Sequence, residues 1–222
     1  SLSGSDIDGD NLSFSLDSDG TNGSVALDGS LATYTPNANY NGDDSFTFSV
    51  SDGEFSSSAS VNLSISAVND APVLATVSDV NFDEDGSGST SLSGSDVDGD
   101  DLSYSITGGS DITATLDGSD VSFSAPANYN GSESFTVSVS DGNGGEDSQS
   151  ITVTVLAVND APVAITGLSG TTAEDQSVVV SLSGSDIDGD ALTFSLDADA
   201  THGSVVVEGS FATYTPNANY NG

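Results

Sequence analysis

Residues 1–10 read SLSGSDIDGD, residues 91–100 read SLSGSDVDGD, and residues 181–190 read SLSGSDIDGD once more. Each copy starts 90 residues after the one before it (1, 91, 181), and AVNDAPV keeps that register at 67–73 and 157–163. A third landmark, ANYNG, recurs at 38–42, 127–131 and 218–222. Self-similarity at a fixed period of this size marks an array of small modules laid end to end.

Between the landmarks the residues alternate. LSFSL (12–16), LATYTP (31–36), SFTFSV (45–50) and SITVTV (150–155) place an apolar side chain at every second position. That is the pattern of half-buried strands, and nothing in the chain has helical periodicity. In the middle copy the pattern predicts seven strands, near 78–83, 90–96, 101–107, 111–117, 120–125, 133–140 and 148–157. Turn residues divide them, among them Asp98-Gly99-Asp100, Asp117-Gly118 and Asp141-Gly142-Asn143-Gly144. Seven short strands in about 90 residues predict an all-β fold of tandem seven-stranded Greek-key β-sandwich modules, immunoglobulin-like in size and arranged in a linear array. Module edges are expected at VNDAPV, where proline fixes its own backbone and extends the residue before it. The expected modules are 1–70, lacking its first strand, 71–160, complete, and 161–222, lacking its last strands; the whole reads as an excerpt from a longer array. The tyrosines of ANYNG (Tyr40, Tyr129, Tyr220) precede the sixth strand and read as packed core aromatics.

Composition narrows the function. The chain carries 35 Asp plus Glu, no Lys, no Arg and one His, for a formal charge of −35. No side chain can neutralise a phosphate, which excludes a nucleic-acid binder, and there are no basic clusters to dock on anionic lipid. No apolar stretch approaches the roughly 18 residues of a membrane span. Cysteine is absent, so neither disulfides nor thiolates hold the modules. Repulsion among the carboxylates opposes compaction, so the modules are expected to fold when cations neutralise the acidic clusters. Cations are the natural partners of this surface.

Asp6 and Asp8, Asp96 and Asp98, and Asp186 and Asp188 stand two apart beside a glycine, in a turn that can aim both carboxylates at one point. Calcium takes about six to eight oxygen ligands in flexible geometry. An EF-hand is excluded: its glycine belongs at loop position six, whereas Gly9, Gly99 and Gly189 occupy position four, and Asp17, Thr107 and Asp197 stand where it needs Glu. Asp10, Asp100 and Asp190 fit either a ligand or a turn residue. Isolated acids such as Asp28, Asp117 and Glu208 read as solvated surface.

Together the landmarks resemble the bacterial cadherin-like repeats of large calcium-dependent surface adhesins. The residues that carry the resemblance are an early acidic pair (Glu84-Asp85), D-x-D-G-D, the Tyr34-to-Gly42 run, S-D-G and the closing V-N-D-A-P-V, in order along essentially the whole chain. The resemblance implies calcium ions shared by neighbouring modules, a secreted, cell-surface location and a stalk-like role. Carried over by position, it implies Asp44, Asn69, Asp70, Asp96, Asp98 and Asp141 at the first junction. At the second it implies Glu84, Glu133, Asn159, Asp160, Asp186 and Asp188, with Asp85 or Asp175 assisting. Asp6, Asp8 and Asp52 would form an incomplete third site.

Catalysis finds little support. His202 stands where the first copy has Asn22, in a turn between strands, and triad chemistry needs a positioned histidine. Paired carboxylates could suggest glycoside hydrolysis, but the pairs recur in every module and no tryptophan is present to stack on a sugar. The expected function is a calcium-stiffened spacer of an extracellular adhesin or filament protein; the alternative is modules that themselves bind carbohydrate or other copies of the chain.

Overall fold

A computed structural model describes residues 1–222, and it is built of strands and turns throughout. The first repeat forms β1 (Ser13–Ser18), β2 (Gly23–Asp28), β3 (Leu31–Pro36), β4 (Gly42–Ser51) and β5 (Ser56–Ile65). The middle repeat forms β6 (Val73–Leu74), β7 (Val80–Asp83), β8 (Ser87–Ser91), β9 (Gly94–Ser95), β10 (Ser103–Gly108), β11 (Thr113–Asp117), β12 (Asp120–Ser124), β13 (Gly131–Ser140) and β14 (Glu146–Leu156). The last repeat forms β15 (Val163–Ala164), β16 (Val178–Ser181), β17 (Gly184–Ser185), β18 (Gly203–Glu208) and β19 (Phe211–Pro216).

The middle repeat is a two-layer sandwich. One layer runs β10-β13-β14-β7 and the other β11-β12-β8. Neighbours pair antiparallel except β7, which lies parallel on β14 with Val80 opposite Val153 and Phe82 opposite Val155. Strands close in sequence make hairpins (β11–β12, β13–β14), while β12–β8 and β10–β13 are long-range pairs, as a Greek key requires. Alternation does the sorting. In β12 Val121 and Phe123 face inward between exposed Asp120, Ser122 and Ser124, and in β13 Phe135, Val137 and Val139 face inward between serines and Thr136 that are exposed or half-buried. Fourteen buried side chains from both layers make one core, in which the Phe123 and Phe135 rings meet edge to face at 5.3 Å between centroids.

Two features depart from the sequence expectation. The strand expected at 90–96 is split into β8 and β9 around Leu92, which is buried and donates its N–H to Ser119 O at 2.8 Å. Past that point the chain leaves the three-stranded layer, and β9 pairs instead with β6, a two-residue strand just after the connector. One stretch thus serves two edges, and period-two patterning does not register where such a switch falls. The second departure is in the last repeat. TFSLDA (193–198) matches SFSLDS (13–18), but only the latter is a strand, because β4 is there to pair with β1 and residues 1–222 hold no corresponding partner for the later copy. Backbone groups define a strand only through a ladder.

Phe135→Ala should cost the middle repeat about 3–5 kcal/mol, the usual range for emptying a close-packed aromatic site. Native-state hydrogen exchange of the β13 and β14 amides reads this locally. A loss below about 1 kcal/mol would show that the two layers do not share this core.

Candidate metal-binding junctions

The two connectors fold onto the D-x-D turn that follows each of them in the same way. Asp70 donates its N–H to Asp98 Oδ2 at 2.7 Å, and Asp160 donates its N–H to Asp188 Oδ2 at 2.7 Å. Asn69 Nδ2 donates to Asp70 O at 3.1 Å, and Asn159 Nδ2 to Asp160 O at 3.0 Å. At the first junction Asn69 Nδ2 also reaches Asp141 Oδ2 at 2.8 Å, tying the connector to the β13–β14 turn. Asp141 is 5% exposed, and its Oδ1 accepts N–H groups from Asn143 and Gly145. The Asn69 amide first, and those backbone donors after it, hold the Asp141 carboxyl below its ordinary pKa although burial opposes them. A Cβ on Gly145 would come within 2.8 Å of Ala71 Cα, so glycine lets this turn close on the connector.

The D-x-D-G-D turn is built by its own first carboxylate. Asp96 Oδ1 accepts the N–H groups of Asp98 at 2.8 Å, Gly99 at 3.0 Å and Asp100 at 3.3 Å. An Asx-type turn of this kind bends the chain sharply, and Gly99 absorbs the bend at a φ of 80°. One carboxylate oxygen each from Asp96, Asp98 and Asp100 then lie within 4.8 Å of one another. The other oxygen of Asp96, Oδ2, is buried with no donor to meet it.

The second junction adds acids from the module before it. Glu84 follows β7, is 6% exposed, and accepts the Val158 N–H at 2.5 Å. Asp85 sits in the left-handed region (φ 60°), which Asp tolerates, and accepts the Asn128 N–H at 3.1 Å. Asp160 lies between these acids and those of the following module. Burial raises its pKa, and the charges of Asp188, Asp85, Glu84 and Asp186 raise it further. Its Oδ2 is buried without a partner. A buried carboxylate oxygen without a donor, in the field of four other carboxylates, is satisfied by a proton or by a cation. The donors are all oxygens, from carboxylates with Asn amides beside them, which suits a hard divalent ion. At the first junction the preceding module presents instead the Asn37–Asn41 turn and Ser66, which with Asp70 and Asp98 line an open cleft of about 270 Å³.

Asp44 and Glu133 do not join these groups. Both are spent on a turn of their own module. Asp44 accepts from the N–H groups of Thr21, Asn22 and Ser45 and from the Tyr34 hydroxyl at 2.6 Å. The Tyr34 bond first, then the backbone donors, hold its pKa near 2, while burial and the Asp44 charge push Tyr34 up to about 12. Glu133 accepts from Ser110 N, Ser110 Oγ, Asp111 N and Ile112 N, which hold its pKa near 2. Phe123 replaces Tyr34 in this copy, and the longer Glu133 takes the Ser110 hydroxyl instead. Glu133 is also not among the carboxylates whose charge Asp160 feels. Asp85, expected only to assist, is among the acids whose charge raises the Asp160 pKa.

In the first repeat Asp6 Oδ1 accepts the N–H groups of Asp8 and Asp10, while Asp52 Oδ1 accepts those of Glu54 and Phe55, which lower the Asp52 pKa. In the last, Asp186 Oδ1 accepts only the Asp190 N–H. Asp100 joins the cluster and is held by Asn143 Nδ2 at 2.8 Å. The motif itself contains Asp100, but no local signal points to Asn143. The ANYNG tyrosines are half-buried; Tyr129 packs on the core, and Tyr40 donates its hydroxyl to Asp43 O at 2.6 Å. His202 lies in the turn before β18 with its ring stacked on Tyr220 at 4.5 Å.

The bacterial Ig domain profile matches residues 1–64, 69–154 and 159–222. The chain belongs to that family. Among solved structures, mouse cadherin-23 EC22-24 is similar at 19% identity and a TM-score of 0.59, covering 95% of this chain and 77% of that one. The extracellular cadherin domains 1-5 of protocadherin gamma B2 are similar at 15% identity and a TM-score of 0.54, covering 94% and 47%. An endo-fucoidan hydrolase from glycoside hydrolase family 107 matches at 25% identity and covers 68% of this chain and 24% of that one, with a TM-score of 0.32 at which the likeness carries no weight. The chain thus spans less than half the length of the last two. No curated protein matches it. The cadherin likenesses establish a tandem, cadherin-like sandwich architecture for the chain.

The Glu133 anchor has a pH signature. Its folded pKa is near 2 against an ordinary value of 4.5, so its stabilisation is full above about pH 4.5 and is lost as pH falls toward 2. Glu133→Gln should therefore destabilise β13 and its neighbours at pH 6, with the gap from the unmodified chain narrowing below about pH 4.5 and closing only as pH falls through about 2. Urea unfolding across that range reads it. A gap that does not change with pH would overturn the anchor.

Proposed function

We propose that the chain is part of the non-catalytic spacer of a large extracellular adhesin or surface filament protein, with modules 1–70, 71–160 and 161–222 joined by connectors that calcium stiffens. The observation that carries this reading is Asp160, whose buried, unpartnered oxygen stands amid Asp188 and Asp186 from the module after it and Glu84 and Asp85 from the module before it. A cation there bonds to both modules at once. Asn159 belongs to the same set, and at the first junction the set is Asn69, Asp70, Asp96, Asp98, Asp100 and Asp141. When bound, the ion supplies the positive charge that the chain lacks; the chain's own residues supply the oxygens and the short, proline-stiffened connector.

The mechanical consequence follows from repulsion and its removal. Without an ion, carboxylates of adjoining modules repel at short range, since salt screens beyond a Debye length of about 10 Å at 0.1 M. The connector then samples many angles. With the ion in place, bending a junction means breaking coordination, and the array holds straight.

Three outcomes are expected. An ion that binds only the folded state at a hundredfold excess over Kd adds about 2.7 kcal/mol per site, so the melting temperature should rise in calcium and fall in chelator. No shift would remove calcium from the reading. Small-angle scattering should show a rod of about 105–135 Å in calcium and a broader distribution in chelator, for three modules each about 35–45 Å long. A compact, folded-back particle in calcium would favour modules that bind carbohydrate or each other. Asp98→Asn should weaken calcium binding, while Asp117→Asn, on the exposed β11–β12 turn, should leave it nearly unchanged. Equal shifts from both would reduce the effect to net charge.

A further inference from the structure

The residue between the two acids of each D-x-D turn is a branched aliphatic: Ile7, Val97 and Ile187. Val97 is 60% exposed and Ile187 63%, and the valine after each connector proline, Val73 or Val163, is 60% or 65% exposed. The exposure is the same in the middle repeat, where both layers are in place, as in the last. The short pairings β6–β9 and β15–β17 bring the two positions together. Val73 lies opposite Ser95 and Val163 opposite Ser185, each two residues before Val97 or Ile187. Single exposed aliphatics are ordinary, but the same pair at the same two positions, on a turn otherwise made of Ser, Asp and Gly, marks a contact surface.

The preceding module reaches this pair. At the second junction Val163 and Ile187 line an open cleft of about 390 Å³ with Asp160, Asp186 and, from the module before, Asn128. Asn128 belongs to the turn Pro126-Ala127-Asn128-Tyr129, in which Tyr129 donates its N–H to Pro126 O at 3.2 Å. Asn128 stands in the left-handed region at a φ of 55°, and its N–H is held by Asp85 Oδ1 at 3.1 Å. The turn is therefore fixed from within its own module, and it leaves Pro126 and Ala127 exposed. Alanine recurs at this place as Ala38 and Ala218. At the first junction the turn containing Ala38 lines a cleft shared with Asp98, the neighbour of Val97.

We propose that Ile187 and Val163 are the seat for the Pro126-Ala127-Asn128 turn of the preceding module, an apolar seal beside the connector carboxylates, and that Val97 and Val73 seat the turn carrying Ala38. The inference rests on the calcium reading above, because the seal closes once an ion lifts the repulsion between the acids of adjoining modules. Closure takes aliphatic surface out of water and lowers the dielectric around Asp160 and Asp186, which strengthens their bonds to the ion. Ion and seal then favour one arrangement, and each raises the affinity for the other. A second copy of the chain is the poorer occupant. It brings its own charge of −35 to an acidic rim, whereas the turn is already tethered beside its seat.

The test uses the whole 222-residue chain with Ala, Ile and Val methyls labelled for NMR, in chelator and through a calcium titration. Nuclear Overhauser contacts from the Ile187 and Val163 methyls to the Ala127 methyl should appear as calcium is added. Ile187→Ser should remove them, broaden the small-angle scattering distribution in calcium and raise the calcium midpoint about fivefold. That factor corresponds to covering roughly half of an isoleucine side chain. Val206→Ser, the same kind of change at a similarly exposed site (56%) on β18, should do none of this. A chain that binds calcium yet shows no such contact, with Ile187→Ser behaving like Val206→Ser, overturns the seal and leaves the calcium reading in place. Contacts that arise only between differently labelled copies overturn it in favour of association between chains. A chain with neither a calcium response nor the contact overturns the seal together with the calcium reading on which it rests.

Discussion

A buried carboxylate oxygen needs a donor or a cation, and this chain has 35 acidic side chains with no lysine or arginine to answer them. The backbone meets part of that need. Asp44, Glu133 and Asp141 each take a side-chain donor (Tyr34, Ser110 and Asn69) together with N–H groups of a tight turn, and Asp52 takes N–H groups alone, which is why their pKa values fall although burial opposes it. In those places the negative charge is structural, pinning a turn to the strand beside it. At the connectors the supply of donors runs out. Asp96 Oδ2 and Asp160 Oδ2 are buried with nothing to accept from, and the charge surplus collects where two modules meet. The same chemistry thus yields turn anchors inside modules and, between them, the unpartnered carboxylate oxygens on which the proposed calcium sites rest.

The connector translates that demand into geometry. Each Asn-Asp pair hangs on the second Asp of the following D-x-D turn through one 2.7 Å bond, repeated at both junctions. The preceding module contributes through Glu84 and Asp85 at the second junction, where β7 ends beside the last residues of β14. The parallel β7–β14 pairing is what brings them there: it carries the early acidic pair to the end of the sandwich from which the connector leaves. Fold and site are linked at this strand. In the proposed array, stiffness at one junction therefore depends on how firmly β7 is held to β14.

Ladders, in turn, decide which segments count as strands. SFSLDS pairs with β4 and is extended, ladder-bonded backbone, whereas TFSLDA, with the same alternation, pairs with nothing. Burial follows the same rule. Fourteen side chains close the core of the middle repeat, while the first repeat buries only Phe46 and Phe48 to a comparable degree. A sandwich needs both layers before its alternating faces have anything to cover.

The sequence by itself determined the 90-residue period, the strand alternation, the acidic turns and the connectors, because each of these is written in contacts between residues a few positions apart. An Asp that accepts the N–H two to four residues on, or a serine between two valines, needs no knowledge of the rest of the chain. Tertiary structure alone decided which acids turn inward. Asp44 meets donors 22 and 23 residues away, and Glu133 meets donors at 21 to 23. It also decided that the Asp85 charge acts on Asp160 while Glu133 is held by its own module's turn, that one stretch splits into β8 and β9 to serve two edges, and that Asn143 reaches Asp100 across 43 residues. A carboxylate reads the same in sequence whether its neighbours are amides or other carboxylates, and those neighbours are chosen by strand pairing over distances that local patterning does not record.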